Sequence, residues 1–249
     1  MGSKIQKRVS AIIIFSAFLM SACAEYWDGK SSAEEMYRMY FEGFPGTLKA
    51  YDANPEAKAQ LLDRTALAYE SGGQGAADSV FLAEFWQFFN ERTRLNISRA
   101  PDADIIQYAL ALANWLDFLA DKHGASCHDI ALTGSDLLRL GLVLEHGTTQ
   151  GFIGAGDNLM LKAGPNNRTR ASERDAKRQL ENARRHLFNS MENTDYREAF
   201  LFEPLSAESN DEKRQACRTL SATLYYFSAP ERNRATSASF LRRYLQGPQ

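Results

Sequence analysis

Four side chains with the chemistry of metal ligands crowd into seven positions: His123, Cys127, His128 and Asp129. Imidazole, thiolate and carboxylate are the donors that zinc prefers. The spacing is poor for a helical site, because residues five apart do not share a face. Cys127 also has a competing use in a disulfide, which would remove it as ligand or nucleophile. The reading is of polar loop residues beside a structural bridge, with no metal and no cofactor implied.

Glu70 is the one carboxyl with a case for catalysis. It stands at a helix end in Glu70-Ser71, followed by Gly72-Gly73-Gln74-Gly75. A carboxyl kept protonated in an apolar cleft can donate to a glycosidic oxygen. The pair is similar to the Glu-Ser of lytic transglycosylases, which are mostly helical envelope proteins and often lipid-anchored. That resemblance implies Glu70 as the acid of a peptidoglycan-cleaving enzyme. It covers two residues, and the family's downstream Gly-Leu-Met-Gln is absent. The alternative is a solvated helix-end residue.

Two further stretches suggest binding. Gly147 to Gly156 is glycine-rich without being GxGxxG or a P-loop, so phosphate binding has little support. The connection from Gly147 to Ala171 reads as a long irregular loop, and such loops in compact domains are usually functional or disordered. Phe152, Ile153, Leu159, Met160 and Leu161 argue against disorder. This loop, with Gln150, Phe152, Ile153, Asn158, Arg168 and Arg170, is the expected binding element. The alternative is a loop folded back to cap the bundle. Arg174, Lys177, Arg178, Arg184 and Arg185 extend the basic stretch, with Glu173, Asp175 and Glu181 interleaved. Their expected target is an acidic partner or anionic headgroups, against the bland reading of a solvated helix surface.

The elements that position these residues read as helices almost throughout. Ser31-Ser32-Ala33-Glu34 has the form of a capping box opening a helix that stops near Gly43 to Pro45. Asn54-Pro55 starts the next, and Gly72-Gly73 ends it. Val80, Phe81, Phe85, Phe88 and Phe89 form an aromatic stripe at helical spacing between Asp78 and Arg94. Ile105, Tyr108, Leu112, Trp115, Leu116 and Leu119 run on to Gly124, a C-terminal glycine cap. A shorter helix with Leu137, Leu140 and Leu144 lies between Thr133 and Gly147. Another starts at Ser172 and is buried along Ala176, Leu180, Ala183 and Leu187. The last two span Asp211 to Phe227 and begin at Pro230. No segment alternates long enough to require a strand. The predicted fold is all-α, a bundle of about eight helices in one domain. Helix starts near Ser31, Asn54, Asp78 and Pro101 are evenly spaced without recurring residues, which leaves a repeat solenoid as the weaker alternative.

The N-terminus carries an address. Lys4, Lys7 and Arg8 precede an apolar run from Val9 to Met20 and then Ser21-Ala22-Cys23. A basic start, a short apolar core and small residues before a cut make a secretory signal peptide. The run falls short of the roughly 20 apolar residues of a membrane span. Leu19-Met20-Ser21-Ala22-Cys23 resembles the lipobox of bacterial lipoproteins, with Met20 in place of the usual Leu. The resemblance implies residues 1–22 as signal, a lipidated Cys23, and residues 23–249 as a helical domain on a membrane anchor. Ala24 after the cysteine, where Asp would imply retention, implies the periplasmic face of the outer membrane. A cut after Ala24 also fits the small-x-small rule; it leaves an odd thiol.

With Cys23 assigned to lipid, Cys127 and Cys217 remain, and an even pair in an exported protein reads as one disulfide. The alternative is two buried free cysteines. Charge is unevenly placed: an acidic centre is followed by a basic C-terminal third. The net charge of −2 and the compartment argue against nucleic acid. No convergent acid, base and nucleophile set can be assembled from these helices. The expected function is a non-enzymatic lipoprotein that binds an envelope or secreted protein, an inhibitor or immunity type included. The alternatives are the peptidoglycan-cleaving enzyme resting on Glu70 and a helical scaffold or assembly factor.

Overall fold

The computed structural model describes residues 29–132, 146–164, 170–188 and 206–246. Among them are eight α-helices, one π-helical turn and no strand. In chain order these are α1 (Gly29–Phe41), α2 (Pro45–Asp52), α3 (Pro55–Ile97), α4 (Asp102–His123), the π turn (His128–Leu132), α5 (Gly147–Lys162), α6 (Glu173–Leu187), α7 (Asn210–Ser228) and α8 (Arg234–Gln246). The all-α expectation holds. The signal, Cys23, Arg168 and the helix expected over 133–145 lie outside the described residues.

α4 is the central element. Its buried residues include Ile105, Tyr108, Ala109, Ala113, Trp115, Leu116 and Leu119, a wide apolar face that needs cover on several sides. α5, α7 and α8 supply that cover, while α1 packs along α3 and α2 along α5. One apolar core draws residues from all eight helices. Its aromatic centre is Phe152 of α5, stacked on Trp115 with centroids 4.5 Å apart and ringed by Trp86, Phe89 and Tyr108.

Several local signals act as read. Pro55 opens α3 behind Asn54, Gly124 follows α4 at φ +57°, and Ser172 caps α6 by accepting from Asp175 N. Gly73, at φ +70°, breaks the helix as expected, yet the chain resumes it at once, so α3 joins what the sequence divides. The Ser31 capping box is corrected. The helix already runs from Gly29, and Gly29 is seated so tightly that a Cβ there would lie 2.5 Å from Ala66 O. The real capping box is Ser209 with Glu212, both reciprocal bonds formed.

α2 was not expected, and its N-terminus has no side-chain cap of its own. The cap comes from α5: buried Asp157 accepts from Gly46 N at 3.0 Å, Thr47 N at 2.6 Å and Thr47 Oγ1 at 2.9 Å. The two backbones touch here, since a Cβ on Gly46 would lie 2.1 Å from Asp157 O. Asp157→Ala leaves two buried amide donors without a partner. The expected loss is about 2 to 3 kcal/mol of unfolding free energy, read by urea denaturation. An unchanged midpoint would show that α2 does not need this carboxylate.

Candidate interaction surface

The structure scatters part of the predicted site and buries another part. The segment expected as a long loop is mostly α5. His146 stands at its N-cap, where Nδ1 accepts from Thr148 N, and Gly156 gives up its side chain to make room for the Phe89 ring. Phe152 and Ile153 are each 2% exposed. They are core residues and cannot meet a partner, which corrects that part of the binding element. Gln150 is partly exposed and Asn158 is exposed, both on α5.

The His123–Asp129 cluster is a structural staple. Cys127 is bonded to Cys217, 90 residues away, which ties the end of α4 to α7. Beside it His128 is buried, with Nδ1 3.3 Å from Asp129 Oδ1, and Lys213 Nζ donates to both Asp129 oxygens at 2.9 and 3.2 Å. Burial pushes the Asp129 carboxyl up, but the hydrogen bonds and charges of Lys213 and His128 outweigh it and hold it below the usual range. Among the described residues no group of three metal-type side chains comes together.

Glu70 is exposed on α3, one turn before the Gly73 break, and Ser71 Oγ donates to Ala68 O. Its exposure places it outside an apolar cleft. An open polar depression of about 450 Å³ lies at the start of α3, lined by Asn54, Glu56, Gln60 and Arg92 among others. Arg92 Nη2 donates to Asn54 Oδ1 at 2.7 Å there.

What remains is the outer face of α6. Its inward stripe is narrow: Leu180 and Ala183 are buried, with Ala176 and Leu187 packed against the core. At about 3.6 residues per turn, Arg174, Arg178 and Arg185 fall diametrically opposite that stripe. All three are exposed. Arg178 pairs with Asp175 at 2.7 Å, Lys177 with Glu173 at 3.0 Å and Arg184 with Glu181 at 3.5 Å. Arg174 and Arg185 have no ion pair among the described residues. Exposed pairs of this kind are worth at most about 1 kcal/mol, so they do not lock the row against an incoming anion.

Arg170 stands just before the first turn of α6, on the side that meets α8. Ala171 N donates to Ser239 O at 3.0 Å, which pins the segment onto α8. Burial, and after it the charge of Arg243, push the Arg170 guanidinium down. Lys177 and then Arg243 hold Glu173 below the usual carboxylate range. Sequence reasoning named Arg170 but missed Arg243. Only the docking of α6 against α8 brings them together.

No protein-family model, no curated protein and no solved structure matches this chain. Among the described residues no helix is long and apolar enough to cross a membrane.

Proposed function

We propose that this chain is an envelope lipoprotein, tethered through Cys23 at the periplasmic face of the outer membrane, whose helical domain binds another envelope or secreted protein without catalysis. The observation that carries the binding role is the arginine row of α6. Arg174, Arg178 and Arg185 point away from the buried stripe, and Arg174 and Arg185 have no ion pair among the described residues. Arginine presents a planar fork of donors that matches carboxylates in pairs, so the row suits an acidic protein surface better than a merely solvated face requires. The signal and lipobox supply the tether, and the Cys127–Cys217 bridge is consistent with an oxidising compartment.

The test uses the full chain in detergent and its Cys23→Ser form as baits against envelope and secreted proteins. Cys23→Ser is expected to abolish membrane association and keep a single stoichiometric partner. Arg174→Glu with Arg185→Glu is expected to weaken that partner at least tenfold in both forms. A partner that survives charge reversal unchanged, or no partner at high bait concentration, would sink the reading.

A further inference from the structure

Among the described residues Arg170 is the arginine with two shielded, unbonded guanidinium nitrogens. Its Nε and Nη2 are shielded from solvent and have no hydrogen-bond partner, although the residue as a whole is partly exposed. A shielded donor left unbonded costs free energy, and a native structure keeps one only for a reason. Arg242, on the neighbouring helix, differs at its Nη2. It is almost fully buried, and its Nη2 donates to Ala100 O at 2.9 Å and to Asp102 Oδ1 at 2.5 Å.

The backbone leaves Arg170 little freedom to leave this place. Ala171, next to it, is bonded to Ser239 of α8, and Ser172 is committed to capping α6. Arg243 lies one helical turn beyond Ser239, on the same face of α8. Its carboxylate partner, Glu173, is 3.9 Å away, beyond hydrogen-bond reach, and Glu173 is already held by Lys177 at 3.0 Å. Lys177 and Arg243 thus share one carboxylate, while Arg170 feels the charge of Arg243 without a carboxylate of its own. Like charges crowded in this way raise the energy of the empty site and lower that of an anion-filled one.

We infer that Arg170 and Arg243 form a carboxylate-binding notch at the head of α6, which takes an aspartate or glutamate side chain from an acidic segment of the partner. The inference rests on α6 being the contact face and names the chemistry recognised there. A carboxylate suits the notch for two reasons. Guanidinium groups take it in a bidentate, planar geometry. Glu173 and Asp175 in the same turn repel a doubly charged phosphate more than a singly charged carboxylate. A small outward shift of the Arg170 side chain brings its shielded donors to the ligand.

The test uses the full chain in a zwitterionic detergent with octaglutamate as probe and octaglutamine as control. Octaglutamate is expected to bind and raise the melting temperature; the control is expected to do neither. Arg170→Met is expected to weaken octaglutamate at least tenfold while melting no lower than wild type without probe, because it removes an unsatisfied cation. Arg243→Met is expected to weaken binding similarly. A clear drop in melting temperature in Arg170→Met without probe would make Arg170 a structural residue and overturn the notch. Unchanged octaglutamate affinity in that variant would do the same. Equal, Arg170-dependent binding of inorganic phosphate or of phosphatidylglycerol vesicles would overturn the carboxylate assignment. If Arg174→Glu with Arg185→Glu abolishes binding and Arg170→Met does not, the contact face stands and the notch falls. The reverse pattern keeps the notch and removes the face.

Discussion

Replacing both Cys127 and Cys217 by alanine is expected to lower the unfolding free energy by about 4 to 5 kcal/mol. The bridge closes a loop of 90 residues in sequence separation, so in the chain-entropy account the unbridged unfolded chain gains much freedom. Both sulfurs are fully buried among the packed faces of α4 and α7, so little solvent-exposed structure can absorb the change. The loss falls on the C-terminal helices, because α7 is the element tied down. Lys213, Arg214 and Arg218 on α7 then become early trypsin sites in the variant and stay protected in oxidised wild type. Urea denaturation and a timed digest read both effects. Coincident urea midpoints and identical digests would mean that packing alone holds α7.

Phe152→Ala is expected to cost about 3 to 5 kcal/mol, the range for emptying a large aromatic site in a core. Phe152 is 2% exposed, lies nearly parallel to Trp115 at an interplanar angle of 5°, and touches rings from α3 and α4. Removing it opens the point where α3, α4 and α5 meet. Asn158→Ala on the exposed side of the same helix is expected to stay within about 0.5 kcal/mol of wild type. The pair separates a helix from a binding loop: a loop residue that meets a partner would affect binding and spare stability. Thermal melts of the two variants suffice. Equal melting temperatures would contradict the central position of α5.

The misreading of that segment has a physical cause. Gly147, Gly151, Gly154 and Gly156 are loop signals because glycine is a poor helix former. Helix stability in proteins comes mostly from burial of a face, and the face was present: Phe152, Ile153, Gly156, Leu159 and Met160 repeat at helical spacing. Gly156 belongs to that face as the missing side chain that admits Phe89. A glycine read only as flexibility hides its role in packing. α2 was missed for a related reason. It spans eight residues, with Pro45 as its one local signal, and its cap arrives from Asp157, about 110 residues further on.

The candidate site divides in the same way. The arginine row of α6 was visible, because the apolar stripe and the charges opposite it are both set by a 3.6-residue period. The unsatisfied state of Arg170 was not, since it depends on which groups fail to reach it.

By itself, then, the sequence determined the all-α class, the Asn54-Pro55, Gly73, Gly124 and Ser172 boundaries and the pairing of Cys127 with Cys217. Each follows from local chemistry: periodicity, caps, breakers and cysteine parity act within a few residues or by elimination. Only the tertiary structure decided that Gly147–Lys162 is a core helix, that Asp157 caps α2, and that Arg243 comes within 3.9 Å of Glu173. These depend on contacts between residues far apart in the chain, where burial and close approach outweigh local preference.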